Sequence, residues 1–107
     1  MAELIKYLEK AVLDQASDIF IVAGGPLSEK VEGCIRAIDE KKLLPPDTKE
    51  LIDEIYSLAN RSMDKYLENG DDDFSFAISG LSRFRVNAYR QRNSLAAVVR
   101  VVSFDIP

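Results

Sequence analysis

The strictest pattern in this chain is the alternation of apolar and polar side chains over residues 83–89. Apolar residues occupy every second position, and polar residues stand between them. The apolar positions are Phe84, Val86 and Ala88, and the polar ones are Arg83, Arg85, Asn87 and Tyr89. Successive side chains of a β-strand point to opposite faces of the sheet, so the segment predicts a strand with one buried and one exposed face. The fold must therefore contain a sheet whose one side packs on a core.

The exposed face of this strand predicts a pair of like charges. If Arg92–Asn93 is a two-residue turn, Arg85 lies directly opposite Arg100 on the next strand. Like charges placed this way destabilise an antiparallel pair by up to about 1 kcal/mol, so a counter-charge is expected between them. Phosphate suits guanidinium groups, whose paired donors match its oxygens. Carboxylates of residues 71–73 or of the helices are the alternative, and the sequence leaves both open.

Charge is divided unevenly along the chain. Residues 1–73 carry a net charge of −8 and residues 74–107 a net charge of +4, which gives −4 overall. The asymmetry indicates either an anionic partner for one face or internal pairing of basic strands with acidic helices. The acidic total argues against general affinity for nucleic acid or for an anionic membrane surface.

The residue types limit the chemistry available to the chain. At 107 residues it forms one domain, and it contains no histidine and a single cysteine, Cys34, which is expected in the core. The run Asp71–Asp73 is interpreted as a solvated turn before a strand, and no metal site is expected. No signal sequence and no transmembrane segment is expected, so the protein is predicted to be cytoplasmic.

Periodicity predicts the order αβββααβββ, an α+β domain with a largely antiparallel sheet of about six strands and helices on one side. Residues 2–16 and 61–69 are predicted helices, the second ending at Gly70. A third helix is predicted to follow Pro45 and Pro46, with Asp47 as its cap. A hairpin is predicted to turn at Glu32–Gly33. The predicted inward positions of the last two helices are Leu51, Ile52, Ile55, Leu58, Met63, Tyr66 and Leu67.

Residues 73–92, DFSFAISGLSRFRVNAYRQR, carry a family resemblance. The segments D-F-S-F and R-F-R-V-N at this separation resemble the N-terminal domain of the PilT-like ATPases of type IV pilus retraction, within the type II/IV secretion ATPase superfamily. The segments ASDIFIVAGGP and KVEGCI, at residues 16–26 and 30–35, are similar to further motifs of that domain. The sequence departs from the family pattern at Phe20, Lys30, Glu32 and Asp71.

The resemblance implies a PAS-like domain over residues 1–103, with residues 104–107 beginning a linker to a RecA-like motor domain. The motor's phosphate loop, G-x-x-x-x-G-K-[ST], does not occur in these 107 residues, so the chain is not expected to be an enzyme by itself. ATP and Mg are expected in the full-length protein and not on this chain alone.

The resemblance also implies partners. The domain is expected to pack on the motor domain of an adjacent subunit in a homohexamer that drives twitching motility. Contact with the inner-membrane pilus machinery is expected to be indirect, at the cytoplasmic side, with no membrane insertion and no nucleic acid.

The resemblance gives a role to the basic face. Arg85 and Arg100, with Arg83 as a weaker candidate, are expected to approach the nucleotide phosphates of the adjacent subunit. Asn87, Tyr89 and Arg92 are assigned to the interface. The alternative interpretation is an independent PAS-like module that binds a small ligand or single-stranded nucleic acid through the same basic strand.

Overall fold

The computed structural model describes residues 3–102, in which three helices and six strands follow the predicted order αβββααβββ. The helices are α1 (Glu3–Leu13), α2 (Pro45–Ala59) and α3 (Asp64–Asn69). The strands are β1 (Asp18–Ile21), β2 (Pro26–Val31), β3 (Cys34–Lys42), β4 (Asp72–Ile78), β5 (Ser82–Gln91) and β6 (Ser94–Val102). The predicted domain boundary at residue 103 lies outside the described residues.

The six strands form one antiparallel sheet in the order β3-β2-β1-β6-β5-β4. Two three-stranded units, β1 to β3 and β4 to β6, are joined where β1 pairs with β6. The helices pack on one side of this sheet, so the predicted α+β architecture is confirmed.

The core lies between the helices and one face of the sheet. Helix α1 contributes Leu4 and Leu8, and α2 contributes Ile52 and Ile55, all of which are buried. They pack in one cluster with the strand residues Ile19, Ile21, Phe84, Val86, Ala88 and Val99. The strand side chains that alternate with this buried set form the opposite face, which we call the open face. Its central members are Asp18, Phe20, Asp73, Ser75, Arg83, Arg85, Asn87, Val98 and Arg100.

Two tight turns fix the strand registers. Glu32 and Gly33 have φ angles of 52° and 81°, and Arg92 and Asn93 have φ angles of 53° and 63°. Positive φ at both central residues is typical of the turn type that matches the right-handed twist of a β-hairpin. Both predicted turns are therefore confirmed, and with them the register that the second one sets.

The helix boundaries differ from the prediction in an informative way. Helix α2 begins at Pro45, so Asp47 lies inside the first turn, where its carboxylate accepts a hydrogen bond from the Leu44 N–H at 2.8 Å. Prolines are tolerated in the first turn because their missing N–H would have no partner within the helix. Helix α1 ends at Leu13, followed by Gln15 in the left-handed region, and α3 begins only at Asp64.

Three predicted core positions are exposed. Leu58 falls off the buried stripe of α2, because that stripe runs through Ile52, Ile55 and Tyr56. In the short α3 only Tyr66 turns fully inward, which leaves Leu67 half exposed. Cys34 begins the edge strand β3 directly after the β2–β3 turn, and its side chain is exposed.

Candidate functional site

The predicted arginine pair lies at the centre of the open face. Arg85 on β5 is directly opposite Arg100 on β6, which confirms the predicted register. Strand β1 places Asp18 on the other side of Arg100, and β4 places Ser75 on the other side of Arg85. One row across four strands therefore reads Asp18, Arg100, Arg85 and Ser75, with the two cations in the middle.

Each of these arginines has a carboxylate partner within the chain. The Nε and Nη2 atoms of Arg85 donate to the two carboxylate oxygens of Asp73 at 3.3 Å and 3.0 Å. The Nε atom of Arg100 lies 3.6 Å from Oδ1 of Asp18. The counter-charge is thus supplied internally, as in one of the two alternatives left open above. One carboxylate, Asp73, comes from the 71–73 run, and the other, Asp18, comes from strand β1 rather than from a helix.

A shallow depression of about 200 Å³ lies over this row. It is lined by Asp18, Asp73, Arg85, Asn87, Val98 and Arg100. The side chains of Arg85 and Arg100 are 64% and 69% exposed, so both guanidinium groups remain accessible from solvent. Two positive and two negative groups surround the depression, which makes it electrically balanced rather than strongly basic.

The Asp73–Arg85 pair shifts both partners toward their charged forms. The hydrogen bonds from Arg85 lower the pKa of Asp73, and the same bonds raise the pKa of Arg85. Both groups are therefore ionised at neutral pH. Any anion that approaches Arg85 meets a guanidinium already engaged by a carboxylate.

The other predicted site residues are spread along the two strands. Arg83 is exposed opposite Ala77 and Val102, and within residues 3–102 no acidic group forms an ion pair with it. Tyr89 is half-buried, and its backbone carbonyl accepts the hydroxyl of Tyr66 at 2.7 Å. Arg92 stands in the turn, seven residues or about 23 Å along the strand from Arg85. The fold thus brings together Arg85, Arg100 and Asn87, and it leaves Arg92 apart.

A buried charge cluster that the sequence reading missed lies on the other face of β4. Asp72 accepts from Nε and Nη2 of Arg61 at 2.9 Å and 2.8 Å and from the Tyr56 hydroxyl at 2.8 Å. The side chain of Asp72 is 0% exposed, and the Arg61 guanidinium lies 5.0 Å from the centre of the Phe74 ring. Chiefly the hydrogen bonds from Arg61, against the opposing effect of burial, lower the pKa of Asp72 to about 2.

The interpretation of Asp71–Asp73 as a solvated turn is therefore wrong for two of its three residues, because β4 begins at Asp72. Strand alternation could have shown this. Asp72 shares its face with Phe74 and Phe76, and a carboxylate on that face needs a partner.

A second cluster joins α1 to the β2–β3 hairpin. Arg36 contacts Glu29 at 3.0 Å and Asp14 at 3.4 Å, and Lys10 contacts Asp14 at 2.8 Å. Burial raises the pKa of Glu29, and the neighbouring Asp14 carboxylate acts in the same direction. This cluster connects structural elements and lies away from the depression.

Within residues 3–102, no three acidic or cysteine side chains are grouped as metal ligands, and no helix there has the length and apolarity needed to span a membrane.

Comparison with known proteins gives two curated relatives, while no protein-family model matches the chain. The type IV pilus ATPase PilU of Pseudomonas aeruginosa is 34% identical over 105 residues, which is 98% of this chain and 27% of the relative. The type IV pilus retractation ATPase PilT of the same organism is 38% identical over 89 residues, which is 81% of this chain and 25% of the relative. The chain thus spans about a quarter of the length of these relatives.

Solved structures agree with the sequence comparison. A crystal structure of the pilus retraction motor PilT with bound ADP superimposes with a TM-score of 0.82 at 37% identity, over 100% of this chain and 31% of that one. The ATPase DotB of Legionella pneumophila gives a TM-score of 0.70 at 23% identity, over 97% of this chain and 28% of that one. The second likeness shows a shared fold.

Proposed function

This chain belongs to the PilT-like secretion ATPases as an N-terminal domain, and we propose that it is the assembly and regulatory domain of a hexameric motor that retracts type IV pili. ATP hydrolysis in this proposal belongs to the whole protein, of which the chain would be about a quarter. The chain itself contributes surfaces and side chains rather than a complete active site. The setting we propose is cytoplasmic, next to the inner-membrane pilus machinery.

The proposed partner is the motor domain of an adjacent subunit, and the proposed contact is the open face. The observation that carries the proposal is the opposition of Arg85 and Arg100 on a sheet face away from the helices. Guanidinium groups hold their charge at every physiological pH and bind phosphate oxygens through paired donors. These two arginines, with Arg83 beside them, would approach the phosphates of ATP bound with Mg in the neighbour.

The role of such arginines is to stabilise charge on a phosphoryl group in transit. An arginine supplied in trans is worth about 10³–10⁵ in turnover in the best-studied nucleotide hydrolases. Arg85 is held by an exposed ion pair, and Arg100 by a longer contact of 3.6 Å to an Asp18 side chain that is 14% exposed. Both guanidinium groups lie at the surface, so they can reorient when the neighbouring subunit supplies a stronger anion.

Substitution in the full-length hexamer tests this function. We expect Arg85→Ala and Arg100→Ala each to lower ATPase turnover by at least about tenfold, since each removes charge stabilisation in trans. Arg90→Ala is the matched control, because Arg90 lies on the same strand but outside the depression, bonded to the Leu67 carbonyl. Light scattering would show whether the ring still assembles. Unchanged turnover in an intact ring would contradict the proposal.

A further inference from the structure

The Asp73 carboxylate occupies the Nε–Nη2 edge of Arg85, one of the two edges by which a guanidinium can bind a phosphate through paired donors. Both Nε and Nη2 of Arg85 donate to Asp73, one to each carboxylate oxygen. This two-bond geometry is the one by which guanidinium groups recognise phosphate. A phosphate can therefore take this edge of Arg85 only by displacing Asp73.

The Arg85–Asp73 pair is exposed on both sides, so displacing it costs little free energy. The side chains of Arg85 and Asp73 are 64% and 51% exposed, and exposed ion pairs contribute little to stability because water solvates the separated charges well. A polyphosphate carries more negative charge than one carboxylate and can contact the opposed Arg100 as well. Arg100 is held less closely, at 3.6 Å from Asp18.

The displaced carboxylate has a partner nearby. Asp73 is directly opposite Asn87 in the β4–β5 pairing, and both side chains lie on the open face. Residues paired in this way have Cβ atoms about 5 Å apart, so the Asn87 amide can donate to the Asp73 carboxylate once Arg85 has left. Asn87, which lines the depression, would thus stabilise the Asp73 carboxylate after the exchange.

We propose that Asp73 is an internal competitor for Arg85, so that this face binds a phosphate group by exchanging an ion pair rather than by offering a free cation. The inference rests on the proposed function only for the source of the phosphate, a nucleotide. It implies that the chain alone binds phosphate weakly. It also implies selection of polyanions over single carboxylates, because only a polyanion has enough charge to offset both the loss of the Arg85–Asp73 pair and the repulsion from the Asp73 carboxylate nearby.

Titration of inorganic tripolyphosphate into the 107-residue chain at low ionic strength tests the exchange. Asp73→Asn should bind more tightly than the wild-type chain, both because the competitor is gone and because one negative charge is removed. Asp71→Asn separates these two effects. Asp71 is exposed and lies two residues before Asp73, so this variant loses the same charge, and within residues 3–102 no cation forms an ion pair with Asp71. From the usual strength of exposed pairs, we expect Asp73→Asn to bind roughly two- to fivefold more tightly than Asp71→Asn.

The readouts are the dissociation constant from calorimetry and the NMR shift of the Arg85 side-chain Nε–H, which should move on binding. Arg85→Ala should abolish the difference between the Asp73→Asn and Asp71→Asn backgrounds. Equal affinities of Asp73→Asn and Asp71→Asn would overturn the exchange, since general electrostatics would then account for both. Absence of binding even by Asp73→Asn would overturn it too. Neither result would decide the turnover measurement in the hexamer, which tests the proposed function separately.

Discussion

Asp72 and Asp73 are adjacent in one strand, yet their ion pairs belong to different parts of the molecule. Asp72 points into the core, where Arg61 and Tyr56 saturate its oxygens and its side chain is fully buried. Asp73 points to the open face, where its ion pair with Arg85 is exposed to solvent. Both are two-bond arginine–carboxylate pairs, at 2.8–2.9 Å for Asp72 and 3.0–3.3 Å for Asp73. They differ most in burial, and Asp72 also accepts from the Tyr56 hydroxyl.

Burial, more than the geometry of the pair, decides whether a charge is structural or available. A buried carboxylate that loses its partner is left uncompensated in a poor solvent, which is costly. An exposed carboxylate that loses its partner is rehydrated at once. The chain therefore places a permanent pair and an exchangeable pair on opposite faces of the same strand.

The largest effect is expected from Asp72→Ala. This change leaves the Arg61 guanidinium and the Tyr56 hydroxyl without their acceptor, so the free energy of unfolding should fall by about 3 kcal/mol. Urea denaturation followed by circular dichroism measures it. Asp71→Ala, an exposed neighbour, is the control and should have little effect. A loss below about 1 kcal/mol in Asp72→Ala would break the contrast between the two faces.

A somewhat smaller effect is expected from acid. The pKa of Asp72 is lowered from 3.8 to about 2 in the folded chain, so its contribution to stability is complete above pH 4 and is lost as the pH falls toward 2. That contribution is roughly 2 kcal/mol from the size of the shift. The test compares unfolding free energies of the wild-type chain and Asp72→Asn between pH 5 and 2. Other acids titrate in both proteins, so their effects cancel in the difference between the two unfolding free energies. That difference should narrow as the pH falls, because Asp72 becomes protonated in the wild-type chain. A constant difference would be incompatible with this role for Asp72.

The smallest effect is expected on the open face. Asp73→Asn and Arg85→Ala each remove an exposed pair and should change the free energy of unfolding by no more than about a fifth of the Asp72→Ala effect. The same urea experiment measures them. If either variant approached the destabilisation of Asp72→Ala, the open-face pair would be structural, and the exchange proposed for Asp73 would lose its basis.

The features that follow from local pattern could be predicted from the sequence. The alternation over residues 83–89 predicted which face of β5 is buried, and the two tight turns gave the registers that oppose Arg85 to Arg100. The order of the helices can be predicted too, because their apolar spacing is a local pattern. Their ends were less certain, since Pro45 can stand either before a helix or in its first turn.

The partners of the charged groups could not be predicted. Asp18 reaches Arg100 only because β1 pairs with β6, across about eighty residues of chain, and no local signal encodes that pairing. Asp73 pairs with Arg85 on the diagonal of the β4–β5 ladder, which depends on side-chain conformation as well as register. The resemblance indicates the family, and the role it implies for the arginines stays a prediction, whereas the carboxylates that hold them are visible only in three dimensions.

The turn at Arg92–Asn93 governs a charge pair that it never touches. Its two residues both adopt left-handed backbone conformations, which are uncommon for an arginine. This two-residue turn sets the register of every residue pair in the β5–β6 ladder as far as Arg83 and Val102. Adding or deleting one residue there would send the next strand's side chains to the wrong side and turn Arg100 into the core. The length of this loop is therefore as much a determinant of the open face's chemistry as the identity of the arginines themselves.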